Sequence, residues 1–280
     1  MRKFSLILSD GRTLDLQGGA CDIGDLSNRL YFANVQGMGA DIEATYATSS
    51  PGFFALSAQR PKQISLAGDL IFAKKLGAAS PYELYQIFCN NCVGQPITVQ
   101  YKPLDKLSFV TIGDYELDGL ITKITKPELR RGDLVCGIEI KAHTPWYACT
   151  YASLRTTGSS IRFSNHVTRP GTLDAAIRFT ATLSAESSVG FSVAIMDGGT
   201  AVARVIVDAS IASGSVVVWD TRPNRQCFLI DGADATSMLD LNDSSFALIP
   251  SSTEQQSYSI VTTNLAASKS MELYEYWRTV

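Results

Sequence analysis

Short runs of alternating apolar and polar residues, broken by Gly, Pro, Asn or Asp, fill most of this chain and leave little room for helix. "KFSLILSDGRTLDLQ" is two such runs around Asp10-Gly11. That pair tolerates positive φ and predicts a hairpin. "FFALSAQ", "QISLAGDLIFA", "QPITVQYKP", "GDYELDGLITKITK" and "DLVCGIEIKAHTPWYA" predict further strands. One segment breaks the pattern. In "SPYELYQIFCNNCVGQ", Ser80 suits an N-cap, Pro81 the first helical position and Glu83 the reciprocal capping place. Leu84, Ile87 and Phe88 then share one face, so a single helix is predicted over 80–92, with Gly94 able to end it.

The texture changes after Tyr151. "ASLRTTGSS" (152–160) is rich in Ser and Thr and predicts a linker or hairpin insert. Beyond it, strand-like runs recur roughly every ten residues, the spacing of an antiparallel sandwich or jelly roll. "WDTRPNRQCFLIDG" predicts a hairpin turning at Pro223-Asn224, and "SFALIPSS" another strand. Two domains are expected, 1–151 and 152–280. The final run, "MELYEYWRTV", fits either the second domain or a return to the first.

Composition excludes several classes. With 45% hydrophobic and 18% charged residues in 280, the chain is an ordered globular protein. A net charge of -3 does not suit a nucleic-acid binder. Charge is spread evenly: residues 1–151 hold as many Lys and Arg as Asp and Glu, and the surplus of three acids lies in 152–280. No apolar run reaches the ~18 residues of a membrane helix. The start is too short for a signal-peptide core, so synthesis and retention in a cytoplasm until lysis are expected. The six cysteines are scattered, which argues against a disulfide framework.

Few residues invite chemistry. Cys89-Asn90-Asn91-Cys92 matches C-x-x-C, but no second pair accompanies it, and it closes a helix where a redox motif would open one. A structural role is expected for both thiols. "IKAHTPWYACT" concentrates His143, Trp146, Tyr147 and Cys149. In an extended strand His143 and Cys149 stand about 20 Å apart, too far for a nucleophile and its base. The stretch reads instead as the end of a long strand stopped by Pro145. Trp146 and Tyr147 would then cap the first core where the chain leaves for the second. Cys136 and His166 have no evident partner. "DGADATSMLDLND" (231–243) is acidic but lacks a calcium-loop pattern, and its residues are common in turns. Trp146, Trp219 and Trp277 could stack on sugars, though aromatics on sheets more often fill cores or interfaces. No catalytic residue, cofactor site or metal site is predicted; Trp146, Tyr147 and Trp219 are the structural or binding candidates.

The order of segments resembles the distal tail protein family of long-tailed bacteriophages. The N-terminal hairpin, the paired strands of "SSPGFFALSAQRPKQISLAGDLIF", the helix of "SPYELYQIF", then "ITVQY", "YELDGLITKIT" and the strand ending in "KAHTPWYA" follow that family's order. Its first domain typically closes on Pro followed by aromatics, as Pro145, Trp146 and Tyr147 do here. The second half resembles the family's galectin-like sandwich. A Pro-Gly-x-Asn turn of many relatives is replaced by Ser251-Ser252-Thr253. The resemblance implies a mainly β protein: a sandwich or barrel-like ring domain with one helix, then a galectin-like antiparallel β-sandwich. It implies a virion protein at the tail tip, a homohexameric ring between the tail tube protein and the tail-tip hub protein. The N-terminal hairpin and the 51–73 region would contribute to the ring. DNA would pass through without specific contacts. The second domain would lie outside, where relatives hold receptor-binding parts or bind host saccharide. Two rival readings are a carbohydrate-binding tail appendage, which needs exposed aromatics on a concave sheet face, and a glycan hydrolase without a recognisable motif.

Overall fold

The computed structural model describes residues 3–39, 42–50, 53–61, 63–103, 114–156, 160–164, 173–223, 225–251 and 256–277. The chain divides into two compact units. The first comprises Met1–Tyr147 with Trp277–Val280, the second Ala148–Tyr276.

The first unit contains β1 (Lys3–Leu8), β2 (Thr13–Asp15), β3 (Leu30–Gln36), β4 (Ile42–Ser50), β5 (Phe53–Pro61), β6 (Ser65–Phe72), α1 (Pro81–Cys92), β7 (Pro96–Lys102), β8 (Tyr115–Ile124), β9 (Glu128–Arg130) and β10 (Asp133–Ala142). Its main sheet is antiparallel, running β2-β1-β7-β8-β10-β6-β3, with β9 on the end of β10. Alternation sets the buried face. Phe4, Leu6 and Leu8 of β1 lie opposite Tyr101, Val99 and Ile97 of β7, all buried. Each such side chain, taken fully out of water, stabilises by about 1.5–3 kcal/mol. The sheet curls until its ends meet. Phe32 N donates to Leu16 O and Gly18 N to Leu30 O, joining the residues after β2 to β3. The result is barrel-like, held at that seam by a short contact rather than a full ladder.

The helix forms as its cap signals dictate. Glu83 N donates to Ser80 Oγ at 3.3 Å, and Ser80 N donates to Glu83 Oε2 at 2.6 Å. Leu84, Phe88 and Cys92 form its buried stripe. Phe88 meets Phe72 edge-on at 5.8 Å. Gly94, at φ +74, turns the chain out into β7.

The second unit holds most of β11 (Trp146–Thr156), then β12 (Ser160–Ser164), β13 (Ala176–Leu183), β14 (Phe191–Asp197), β15 (Thr200–Val207), β16 (Val216–Asp220), β17 (Cys227–Ile230), β18 (Ala233–Asp234), β19 (Ser257–Thr263) and β20 (Ala267–Trp277). One antiparallel sheet runs β18-β17-β16-β13-β20-β11 and the other β12-β19-β14-β15. Ile177, Phe179, Val217, Trp219 and Phe228 from the first sheet share a core with Phe191, Val193, Ile195, Val205 and Ile260 from the second. That is an antiparallel sandwich. Tight turns feed it: Gly190 sits at φ +75, where an added Cβ would come within 2.1 Å of Val207 O, so only glycine fits.

Three local expectations are corrected. The strand that starts at Asp133 ends at Ala142, and Trp146 opens a separate strand rather than finishing the first. Pro145, which lacks an N–H, sits in the gap. Residues 152–156 continue β11 despite their linker-like composition, because cross-strand pairing outweighs local preference. The run over 244–250 forms no strand. Ile249 instead exchanges a pair of hydrogen bonds with Ala175, the residue just before β13, each 2.8 Å. The β16–β17 hairpin is present with Pro223 in its connection; Asn224 lies outside the described residues.

Candidate functional site

The ribbon of β4 and β5 stands apart from the main sheet in its backbone pairing. Each strand has nine residues, and they pair antiparallel with register shifts at Thr45/Tyr46 and Thr48/Ser50. Among the described residues they form a sheet of two strands only. A two-stranded ribbon is marginal in water, and among the described residues no third strand pairs with either outer edge. The sequence marked part of this ribbon as strand; its separation from the main sheet was not legible.

Trp146 and Tyr147 close the first core. Trp146 is 0% exposed and meets Tyr101 edge-on at 6.2 Å. Its indole N–H is buried without an acceptor among the described residues. Tyr147 is buried too, and its hydroxyl donates to Asp118 Oδ1 at 3.0 Å. Thr98 Oγ1 donates to the same carboxylate oxygen at 2.6 Å. His143 is drawn to this region by its backbone, its N–H donating to Asp118 O at 2.7 Å. Trp219 is 0% exposed in the second core. None of these three aromatic residues therefore offers a ring face to a sugar. The side chains of Cys149 and Trp277, and all of His166, lie outside the described residues.

The two cysteines of C-x-x-C end α1. Burial pushes the Cys92 thiol up to about 12, and the nearby Cys89 adds to the shift. Burial raises Cys89 as well. Cys136, also buried, is pushed up to about 12. Thiols held protonated this firmly make poor nucleophiles and poor metal ligands.

The acidic stretch 231–243 is a cover for a sheet edge. Strand β15 pairs with β14 on one side only. On its free side Asp240 N donates to Ile206 O at 2.9 Å and Ser245 N to Arg204 O at 2.7 Å. The β15 donors are met by side chains: Arg204 N by Ser245 Oγ at 3.3 Å, Ile206 N by Ser244 Oγ at 3.0 Å. The carboxylates stabilise the cover's own turns, Asp234 accepting from Thr236 N at 3.0 Å and Asp240 from Asn242 N at 3.0 Å. Asp243 is ion-paired with Arg204. Sequence alone found the turns but not the edge, because the partners lie some forty positions away.

One open groove of about 490 Å³ lies on the main sheet of the first unit, floored by Gly68 and Gly137 and flanked by Asn34, Asp69, Lys123 and Glu139. Its carboxylates already have donors, Asn34 Nδ2 to Asp69 at 2.7 Å and Ser65 Oγ to Glu139 at 3.0 Å. Among the described residues, no three His, Cys, Asp or Glu gather as a metal site would require. No described helix is long and apolar enough to cross a membrane.

The decisive comparison concerns the first unit. Residues 3–143 match the model of the distal tail protein N-terminal domain, 141 of 280 residues. The chain belongs to the distal tail protein family. It is a structural component of the bacteriophage tail tip, in a family of tail-hub proteins that assemble with other tail components. Solved structures share its fold. A chain of the phage P2 baseplate, in its activated conformation with calcium, has 12% identity, a TM-score of 0.68 and full coverage of both chains. The same baseplate with strontium gives 13% and 0.67, again with full coverage of both. The SPP1 Dit protein, described as a hub of the adsorption apparatus in phages infecting Gram-positive bacteria, has 12% identity and a TM-score of 0.56 over 98% of each chain. No curated protein matches the sequence.

Proposed function

We propose that this distal tail protein is the ring of the tail hub, a closed homohexamer seated between the tail tube protein and the tail-tip hub protein. The β4–β5 ribbon carries the reading. Among the described residues no third strand pairs with either of its outer edges, and an adjacent copy can supply one. Main-chain pairing across subunits satisfies those edges at every interface once a heterologous contact closes on itself. The role is structural: the first domain (1–151) forms the ring and the second (152–280) lies on its outside. A ring that lets DNA through gains nothing from strong positive charge, and the net charge of -3 agrees with that. The saccharide-binding alternative loses support, since Trp146 and Trp219 are enclosed.

Light scattering on the full chain, with negative-stain images, tests this. The expected outcome is a sixfold ring with a central channel. A strict monomer at high concentration that binds host glycans would overturn it.

A further inference from the structure

Two exposed surfaces on this chain match each other in charge and in apolar content. The first is the end of the first unit where β6 and β9 flank β10. Leu134 of β10 pairs with Phe72 on one side and with Leu129 on the other, so the loop after β6 and the β9 turn lie about 10 Å apart. Buried Arg29 clamps the loop at both ends, donating to Ala73 O at 3.0 Å and to Ala79 O at 2.7 Å. Lys74 N adds a 2.8 Å bond to Asp133. The clamped loop holds Leu76 at 90% exposure, and the β9 turn holds Leu129 at 72%. Five cations surround them, Lys74, Lys75, Lys126, Arg130 and Arg131, against two carboxylates, Glu128 and Asp133, a surplus of three positive charges. Leucines held out on fixed backbone and ringed by cations are costly to leave in water and suited to an anionic apolar partner.

The second surface is the cover of β15. Residues 231–243 contain four aspartates and no Lys or Arg. Arg204 pairs with Asp243, so the surplus is three negative charges. Its backbone is fixed by the bonds to β15, yet Leu241 is 68% exposed and Met238 43%. Both surfaces are therefore pre-organised, which lowers the ordering cost of contact.

We propose that these surfaces meet between neighbouring copies: the clamped loop and β9 turn of one chain against the 231–243 cover of the next. Leu76 and Leu129 would lie against Met238 and Leu241, within a frame of Lys/Arg–Asp pairs. The contact is heterologous, because each copy presents one surface of each kind, and it adds to the ring interface without replacing it. It rests on the ring reading above.

The test uses the full chain in sedimentation and light scattering across a salt series. One variant carries Lys75→Glu and Lys126→Glu, a second Met238→Lys and Leu241→Lys, a third all four. These side chains are exposed, so melting temperatures should match the unaltered chain. Each double variant is expected to weaken self-association about tenfold. The first leaves -1 facing -3, so added salt should now favour association; the second leaves +3 facing -1, so the salt dependence should flatten. The fourfold variant, with -1 facing -1 and no apolar pair, should not recover. Rings that form equally well in both double variants would overturn this contact and leave the ring reading standing. An unaltered chain that stays monomeric throughout would overturn both.

Discussion

Tyr147 donates its hydroxyl hydrogen to Oδ1 of Asp118 across 3.0 Å, inside the first unit, where both residues are at most 8% exposed. A carboxylate placed there depends on its donors. Tyr147→Phe removes one and leaves Thr98 with more of the charge to hold. The expected loss is about 1–2 kcal/mol, read as a fall of a few degrees in the melting temperature. Thr98→Val should act in the same direction. An unchanged melt in both would show that the carboxylate is satisfied otherwise.

Trp146→Ala should cost more. The indole is fully enclosed and touches Tyr101, so its removal opens a cavity that the sheet cannot collapse into. Such truncations cost about 3–5 kcal/mol. Urea unfolding of the first unit should shift accordingly, and ring assembly should weaken with it. Unaltered unfolding and assembly would reopen a ligand role for this residue.

Arg222 and Asp220 form a nearly closed ion pair in the second unit. Arg222 Nε lies 3.0 Å from both carboxylate oxygens, and its guanidinium lies 4.4 Å from the ring centre of Tyr274. Side-chain exposures are 14% and 3%. Arg222→Ala leaves the buried carboxylate with the backbone N–H of residue 222, 3.0 Å from Asp220 Oδ1, but without its countercharge, and should cost about 3 kcal/mol. Arg222→Lys should recover only part, because a lysine cannot match the fork or the stacking. Full recovery by lysine, in thermal or urea unfolding, would show that charge alone matters at this site.

Alkali should unfold the protein before it ionises the buried thiols. The ordinary thiol value is near 9.0, and Cys92 and Cys136 are pushed up to about 12 in the folded chain. Above pH 9 the unfolded chain releases these protons while the folded chain keeps them. Stability is therefore intact below pH 9 and falls as pH rises from about 9 to 12. A Cys92→Ala, Cys136→Ala chain should lose less stability over that window. In thiol-reagent assays at pH 8, these two should react only after denaturant is added; rapid labelling of either in the folded protein would contradict the burial.

Legibility followed locality. The helix could be read because Ser80, Pro81 and Glu83 act on backbone within one turn. The N-terminal hairpin could be read because Gly11, at φ +86, needs no distant neighbour. Strand identity followed from alternation, and Val217 and Trp219 duly share an inner face. Arg29 was opaque: its acceptors, Ala73 and Ala79, are 44 and 50 positions away, and nothing in composition marks a cation as a clamp. The role of 231–243 was hidden for the same reason. The unit boundary between Tyr147 and Ala148 falls within a strand, where composition carries no mark of it. The assembly surfaces were invisible because exposure is a property of the fold.

The hydroxyls of Ser244 and Ser245 have a consequence for how other molecules can address the second unit. With β15's outward amides at Arg204 and Ile206 already occupied, no foreign strand can slot in there by backbone pairing, a mode that tolerates almost any sequence. Whatever docks at that margin has to read side chains. Recognition of that kind can be redirected by single substitutions while the sandwich beneath stays as it is.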